Sequence, residues 1–243
     1  MALDAQLVQE LIPSGTLRVG VAYAPRPTPI FVAQAADGDY QGVAVDLGRA
    51  LAQRLGVPLE IVAAATTAEL TRACLAGEID LGFMPADEER RRQLDFSPPY
   101  FIIESTYLAA GQAGIATQAD VDRLGVTVVG IAGSTTIRAA GRSLTRATVV
   151  AAPSIDAAMA LMKSGQAQVF ALTHDALPPL QRELPGSVIL AGAFQVTGVA
   201  MAVRQHRPAA LACLTRFIEE AKASGLLRQA FDAAGLGRLD VAP

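Results

Sequence analysis

The stretch "LAGEIDLGFMPADEERRRQLDFSPPY" (residues 75–100) decides the fold class of this 243-residue chain. Its first residues are typical of the end of a helix that stops at Gly77, and a buried strand, "IDLGFM", follows at once. Asp87 is then placed to cap a short helix that runs from Glu88 to about Gln93. A helix that leads directly into an apolar strand indicates an α/β fold with mostly parallel strands.

The same order of elements recurs along the chain. "TLRVGVA" (16–22) predicts a buried strand, and "VAVDLGRALAQRLG" (43–56) predicts a helix that stops at its final glycine. The pattern restarts at "VTVVGIA" (126–132), and "SIDAAMALMKSG" predicts a helix capped by Ser154 and closed by Gly165. Because "CLAGEIDLGFM" and "LMKSGQAQVFAL" match as helix, glycine and strand, the chain is predicted to form two similar α/β lobes.

Two extended runs, "PPYFIIESTYLAAG" (98–111) and "FQVTGVAMAV" (194–203), predict a two-strand hinge between the lobes. The chain would leave the first lobe, build the second and return. Ligands of open α/β sheets bind at the carboxyl ends of strands, so we expect a ligand in the cleft between the lobes. The predicted boundaries are residues 1–106 plus 196–243 for lobe 1, 107–195 for lobe 2, and about 100–108 and 194–199 for the hinge strands.

Composition excludes several classes of function. A chain that is 51% hydrophobic has enough apolar residues for a sizeable core. Its formal net charge of −3 gives no electrostatic reason to bind nucleic acid or an anionic membrane surface. Aromatic residues make up only 5% and tryptophan is absent, which argues against an aromatic stacking cleft. No apolar run reaches the ~18 residues of a transmembrane helix.

The two cysteines and the first residues leave the compartment open. Cys74 and Cys213 each lie in an apolar helical pattern and are interpreted as buried free thiols, although a disulfide stays an alternative. With no other ligand cluster, the pattern argues against zinc. The start, "MALDAQLVQELIPSG", has no basic region and no small-residue cleavage site, so it is not a signal peptide. The protein is then either cytoplasmic or given without a leader.

Taken together, these segments resemble one family. The matching pieces are "GTLRVGVA", "QGVAVDLGRALAQRLGV", the stretch 75–100, "GIAGSTT", "MKSGQAQVFAL" and "FIEEAKASGLLRQAF". In this order the chain resembles the type 2 periplasmic solute-binding proteins of ABC importers, in particular solute-binding family 3, which includes polar amino-acid binders. The resemblance implies a periplasmic binding protein-like II (Venus-flytrap) fold, a periplasmic location, a membrane permease as partner and a monomer without cofactor or metal.

The resemblance also implies a set of ligand-binding residues. The family's α-carboxylate-binding arginine corresponds to Arg90, and a guanidinium offers two parallel donors to a carboxylate. A cation gains nothing from the first turn of a helix, so Arg90 needs another partner, whereas Arg91 and Arg92 are interpreted as solvated. The other predicted contacts are Tyr23 and Arg26 in the first loop, Thr66 and Thr67, the backbone of Met84 and Pro85, the helix start Ser134, Thr135 and Thr136, and the pair Thr173 and His174.

Two departures from the family bear on the ligand. Amino-acid binders place an acidic residue eight positions after a helix-ending glycine, and here that position holds Thr173. The acid of the first loop is also missing, since "AYAPRPTPIF" offers Tyr23 and Arg26 instead. A buried ammonium without a counter-charge would cost several kcal/mol. A carboxylate that lacks the α-ammonium, or a polar neutral solute, therefore fits better than an amino acid.

Two alternative functions remain at this stage. Cyclohexadienyl dehydratases resemble these binders, and such an enzyme needs a general acid with a raised pKa in a dry cleft. Glu104 and Asp175 are the acids that could lie there. A ligand-sensing module, in which closure signals to a partner, is the other alternative.

Overall fold

The computed structural model describes residues 4–22, 30–34 and 38–242. The chain divides into two compact units. The first consists of Met1–Ile102 and Gly198–Pro243, and the second of Ile103–Thr197. The chain thus crosses between units after residue 102 and again after residue 197, where the sequence placed the boundaries after 106 and 195.

The strands, in chain order, range in length from two to ten residues. They are β1 (Leu17–Ala22), β2 (Ala33–Gln34), β3 (Tyr40–Gln41), β4 (Leu59–Ala64), β5 (Leu81–Pro85), β6 (Leu94–Phe96), β7 (Phe101–Ala109), β8 (Thr127–Ile131), β9 (Thr148–Ala152), β10 (Val169–Thr173), β11 (Val188–Ile189) and β12 (Gln195–Arg204).

The helices follow the alternation that the sequence predicts. They are α1 (Ala5–Leu11), α2 (Val43–Leu55), α3 (Thr67–Ala76), α4 (Glu88–Arg91), α5 (Thr135–Ser143), α6 (Ile155–Lys163), α7 (Leu177–Glu183), α8 (Pro208–Ala223) and α9 (Leu226–Ala233). Short 3-10 turns occupy Gly111–Ala113, Gln118–Asp120 and His174–Ala176.

In the first unit the strands lie in the order β4-β1-β5-β12, and β6 also pairs with β12. β1 is parallel to both β4 and β5, as predicted, whereas β12 is antiparallel to β5 and β6. β12 enters the first unit at Gly198, after the chain has passed through the second unit. A buried cluster that includes Leu70, Cys74, Met84 and Leu94 packs α3 against the sheet.

Glycines end the helices of the first unit where the sequence predicts. α2 and α3 stop at Gly56 and Gly77, which take left-handed conformations with φ of 68° and 76°. A side chain would strain this conformation, so glycine is the residue that ends a helix at least cost. Gly225, with φ of 79°, separates α8 from α9.

In the second unit the strands lie in the order β7-β10-β8-β9, and β11 pairs with β7. β8 is parallel to β9 and β10, while β7 is antiparallel to β10. Ser134 and Ser154 cap α5 and α6 by accepting hydrogen bonds from backbone N–H groups, and the cap at Ser154 was predicted. Apolar side chains of β8, β10 and α6 form the core on one face of this sheet.

One carboxylate ties down a loop of the second unit. Asp122 accepts hydrogen bonds from the backbone N–H groups of Thr145, Arg146 and Ala147 and from the Thr145 hydroxyl. The donors at Ala147 and Arg146 are the main reason that the pKa of Asp122 lies well below its usual range. The carboxylate therefore holds the segment between α5 and β9 in place.

Both cysteines are free thiols, but only one is fully buried. Cys74 is buried, whereas Cys213 is half-buried on α8, so the prediction of two buried thiols was wrong for Cys213. Residue 213 lies where an apolar helical pattern meets the surface, which periodicity alone does not resolve. Among the described residues, no helix is long and apolar enough to cross a bilayer, and no three metal-binding side chains cluster.

Candidate functional site

Arg90 lies on the short helix α4, which follows the end of β5. Asp87 caps this helix and accepts a hydrogen bond from the backbone N–H of Arg90 at 3.0 Å. Arg90 is only 3% exposed, whereas Arg91 and Arg92 are exposed. Charged side chains are almost never buried to this extent without hydrogen-bond partners, so the contacts of Arg90 define the candidate site.

Three hydrogen bonds of the Arg90 guanidinium end on neutral oxygens. Its Nε donates to Thr71 Oγ1 at 2.9 Å, and its Nη2 donates to Thr67 Oγ1 at 3.0 Å. Its Nη1 donates to the Pro85 carbonyl oxygen at 3.1 Å. Because all three nitrogens are held, the plane of the guanidinium is fixed against α3 and β5. A fixed planar fork of donors has the geometry that a carboxylate recognises.

The end of β5 explains why the Pro85 carbonyl meets Arg90. β1 pairs with β5 as far as Gly82, before the strand reaches Pro85. On the β12 side, the Ala86 N–H donates to the Gly198 carbonyl at 2.8 Å. Backbone groups of successive residues point to opposite sides of a strand, so the Pro85 carbonyl points away from β12. A proline is tolerated here because its missing N–H would lie on that same side.

Thr71 is the contact of Arg90 that sequence reasoning missed. Its hydroxyl lies 2.7 Å from the Thr67 carbonyl and 3.5 Å from the Met84 sulfur. Thr67 was a predicted site residue, and Thr71 follows it by four positions on α3. Side chains four residues apart share one face of a helix, so this spacing was the signal that could have found Thr71.

The other predicted contacts in the first unit have structural roles or cannot be placed. Thr66 caps α3 by accepting a hydrogen bond from the Glu69 N–H at 3.1 Å. Met84 is fully buried in the core, which restricts its predicted contribution to its backbone. Tyr23 and Arg26 lie outside the described residues.

In the second unit, hydroxyl groups collect at the start of α5. Ser134 caps the helix through the Ile137 N–H at 3.2 Å, and Thr135 and Thr136 are 4% and 2% exposed. The Thr136 hydroxyl lies 3.2 Å from that of Ser105, a buried residue of β7 that was not predicted. The group therefore offers neutral hydrogen-bonding oxygens beside the positive end of a helix dipole.

The predicted residues after β10 are more exposed. Thr173 ends the strand, pairs with Ser105 of β7 and is half-buried. His174 and Asp175 form the following turn and are exposed, as is Glu104 on β7. Contact of Thr173 and His174 with a ligand stays a prediction.

The sequence model of the bacterial extracellular solute-binding proteins, family 3, matches residues 17–233, which is most of the chain. The chain belongs to this family. No curated protein matches it at a significant level.

Solved structures that are similar to this protein agree with the assignment to family 3. A mutant of ArgBP from T. maritima is 26% identical, with a TM-score of 0.75 over 93% of this chain and 98% of the other. The ancestral amino acid-binding protein AncCDT-1, a precursor of cyclohexadienyl dehydratase, has the same identity, TM-score and coverage. The solute receptor for L-cysteine of Neisseria gonorrhoeae, 21% identical, gives a TM-score of 0.80 over 97% and 99% of the two chains.

These likenesses confirm the predicted fold of this family 3 solute-binding protein. Its mixed α/β architecture is the type II fold of periplasmic binding proteins. The candidate site residues of the first unit are Arg90 with Thr67, Thr71 and Pro85, and those of the second unit are Ser105, Thr135 and Thr136.

Proposed function

We propose that this protein is the solute-binding component of an ABC importer and that it captures a small carboxylate-bearing or polar solute. The observation that carries the proposal is the buried Arg90 guanidinium, held in one orientation by Thr67, Thr71 and Pro85. The family assignment supports the solute-binding role. Similar solved structures include an ancestral arginine-binding protein bound to arginine and the substrate-binding protein of an amino acid ABC transporter, and amino acids carry a carboxylate.

Arg90 is proposed as the anchor of that carboxylate. A guanidinium pairs with a carboxylate through two parallel hydrogen bonds, which are stronger than bonds between neutral groups. Its orientation is set before the ligand arrives, so little side-chain entropy is lost on binding. The Thr67 and Thr66 hydroxyls, at the start of α3, are proposed as further hydrogen-bonding groups of the same site.

The proposed ligand is an organic acid or a polar solute rather than an amino-acid zwitterion. The position where amino-acid binders of the family carry an acid holds Thr173, and the groups at the start of α5 are hydroxyls. Hydroxyl groups bind a neutral polar group or a second oxygen function without the desolvation cost of an uncompensated ammonium. His174 and Thr173 are proposed to complete this part of the recognition.

Capture by hinge closure, delivery to a permease, a monomeric state and a periplasmic location are proposed on the family resemblance. Closure requires contacts that the solute makes with both units, because a ligand shifts an equilibrium only by its differential affinity for the two states. The two connections between units, after residues 102 and 197, are the proposed hinge.

A thermal-shift screen of organic acids, amino acids and small amides tests the ligand class. A solute that binds only the folded protein raises the melting temperature by an amount that grows with the logarithm of its concentration relative to the dissociation constant, so at equal concentrations carboxylates without an α-ammonium are expected to give the largest shifts. Strong stabilisation by an amino acid and none by organic acids would contradict the proposed ligand class, though not the solute-binding role.

Arg90→Lys tests the anchor, with Arg92→Lys as the matched control. Lysine keeps the charge but lacks the planar fork, so we expect the dissociation constant of the best carboxylate from the screen to rise at least about tenfold. Arg92 is exposed at the C-terminal end of α4 and pairs with Glu88. Its replacement should therefore leave the dissociation constant within about twofold of the original value. Equal affinities for the two variants, measured by calorimetry, would place the anchor elsewhere.

Catalysis on the same scaffold is the second candidate, because one similar structure is a precursor of cyclohexadienyl dehydratase. The acids considered for that role, Glu104 and Asp175, are both exposed, whereas a general acid with a raised pKa needs dry surroundings. We therefore favour binding without turnover. Incubation with prephenate and arogenate should leave both compounds unchanged, and turnover above background would reverse this preference.

A further inference from the structure

The contact between Thr71 and Arg90 has a direction that its neighbours set. The Thr71 hydroxyl has one hydrogen, and its nearest acceptor is the Thr67 carbonyl at 2.7 Å. With the hydrogen turned to that carbonyl, the lone pairs of Thr71 Oγ1 are left to accept from Arg90 Nε at 2.9 Å. The helix backbone of α3 thereby orients the hydroxyl, and the hydroxyl orients the guanidinium.

Thr71 holds the nitrogen that controls the guanidinium plane. Thr67 and Pro85 accept from the two terminal nitrogens, whereas Thr71 accepts from Nε, the atom that joins the planar group to the rest of the side chain. Nε carries a single hydrogen, so its hydrogen bond fixes the plane in which the other four N–H groups lie. Loss of this bond would remove one of the three hydrogen bonds to neutral oxygens that align the fork, so the fork would present its N–H groups to a carboxylate less rigidly.

We propose that Thr71 is a positioning residue of the solute site, which sets affinity for carboxylates through Arg90 and without contacting the solute. The inference rests on the proposed role of Arg90 as carboxylate anchor. Thr71 is half-buried on α3 and one turn beyond Thr67, with its hydroxyl engaged by Arg90 and the helix backbone.

The test uses Thr71→Val, which keeps the branched shape and removes the hydroxyl. Thr71→Ser restores the hydroxyl and is the rescue variant. Thr215→Val is the matched control, because Thr215 is also a half-buried threonine on a helix of the first unit, α8. Thermal melting of the variants confirms that each is folded before binding is measured.

The first readout needs no ligand. The Nε–H signal of Arg90 in a proton–nitrogen correlation spectrum, assigned by its loss in Arg90→Lys, reports the hydrogen bond to Thr71. We expect its exchange with solvent to accelerate at least about tenfold in Thr71→Val and to return toward the original rate in Thr71→Ser. An unchanged exchange rate in Thr71→Val would overturn the positioning role.

The second readout is the dissociation constant of acetate, the probe carboxylate, with acetamide as its neutral counterpart. Acetate should shift the Arg90 signal and acetamide should not. We expect Thr71→Val to weaken acetate binding about tenfold, Thr71→Ser to restore it to within about twofold, and Thr215→Val to leave it unchanged. Thr71→Val with unchanged acetate affinity would overturn the inference.

A double variant separates positioning from direct contact. If Thr71 acts through Arg90, Thr71→Val should change acetate affinity by less than about twofold in the Arg90→Lys background. A full tenfold effect in that background would mean that Thr71 contacts the solute itself, against the inference. Failure of acetate to move the Arg90 signal in the unaltered protein would instead overturn the carboxylate-anchor proposal, whatever the exchange of the Nε–H shows.

Discussion

At the scale of single residues, three consecutive arginines lie in three different environments. Arg90 is buried against α3, the Arg91 guanidinium lies 5.3 Å from the centre of the Phe96 ring, and Arg92 pairs with Glu88. Successive residues of a helix point about 100° apart, so neighbours of identical chemistry meet different surroundings. The burial and the contacts of Arg90 therefore depend on the direction in which its side chain points, because all three residues are arginines.

Tyr100 carries a buried hydroxyl that offers a test of packing at this scale. The residue is fully buried, its ring meets Phe83 edge-on at 5.7 Å, and burial raises the pKa of its phenol. Among the described residues, no group accepts or donates a hydrogen bond at the Tyr100 hydroxyl. Tyr100→Phe removes an unsatisfied polar atom, so we expect the free energy of unfolding to stay unchanged or rise by up to about 1 kcal/mol.

Thr106→Val is the control for that measurement. The Thr106 side chain is fully buried, and its hydroxyl donates to the Leu190 carbonyl at 2.9 Å and accepts from Gln118 Nε2 at 2.8 Å. Valine keeps the branched shape but removes both hydrogen bonds, which should lower the free energy of unfolding by about 1–3 kcal/mol. Urea titrations of both variants give the two values, and a loss at Tyr100 as large as that at Thr106 would mean that the Tyr100 hydroxyl is satisfied.

At the scale of elements, α1 and α8 cap each other. The Glu10 carboxylate of α1 accepts from the Ala210 N–H in the first turn of α8 at 3.0 Å. Arg207, just before α8, donates to the carbonyls of Gln9 and Glu10 at 3.2 and 2.7 Å. Arg207 has no side-chain oxygen with which to cap its own helix, so α8 takes its cap from another element.

Glu10→Gln should weaken this junction in a pH-dependent way. Burial acts to raise the pKa of Glu10, but hydrogen bonds from Ala210 and Gln6 and the charge of Arg207 together lower it below its ordinary value. A carboxyl group with a lowered folded-state pKa stabilises the fold above its ordinary pKa, ~4.3, and loses that effect as pH falls through the folded value. The difference in melting temperature between the original protein and Glu10→Gln should therefore be largest at neutral pH and shrink on acidification.

The control for this experiment is Glu219→Gln. Glu219 is exposed on α8, away from the first turn that Glu10 caps. Its substitution therefore removes an equal charge without removing a cap. A pH-independent difference for Glu10→Gln, or an equal effect of Glu219→Gln, would contradict the capping role.

Elements whose signals lie within their own residues were predicted, and those that depend on distant partners were not. The ends of α2 and α3 at glycine and the cap of α6 at Ser154 are local signals, and the structure confirms them. α7 was not assigned from the sequence, and it carries Pro178 and Pro179 in its first turn, where N–H groups need no partner.

The site follows the same division. Burial of Arg90 was anticipated from the first-turn cation and the family resemblance, but its partner Thr71 is 19 residues away in sequence. Ser105 and Thr136 are separated by 31 residues and meet only because β7 and α5 are brought together in the second unit. The four-residue spacing from Thr67 marked Thr71 as a neighbour on the same helix face, whereas the pairing of Ser105 with Thr136 depends on tertiary packing that no local pattern in the sequence encodes.

At the scale of the whole molecule, the reaction rates of the two thiols report on two different events, which are access at the surface and global unfolding. Cys74 is buried in the core of the first unit, and burial raises its pKa to about 12. Cys213 is half-buried on α8 and its pKa is also raised by burial. A thiol reacts as its thiolate and only when a reagent reaches it, so Cys213 should react slowly in the folded protein and Cys74 only on unfolding.

A thiol-reactive dye at pH 8 measures both events. We expect one slow phase in the folded protein, loss of that phase in Cys213→Ser, and two reactive thiols in denaturant. Rapid labelling of two thiols without denaturant would contradict the buried position of Cys74.

The mutual capping of α1 and α8 has a practical consequence for anyone who shortens this protein. The family match begins at residue 17, after α1 has ended, so a gene trimmed to the conserved borders would discard the helix. The loss would remove Glu10 together with Leu11 and Ile12, which are 0% and 1% exposed and whose burial stabilises by about 1.5–3 kcal/mol each. Expression plasmids should therefore retain the first sixteen codons, although the family model does not match them.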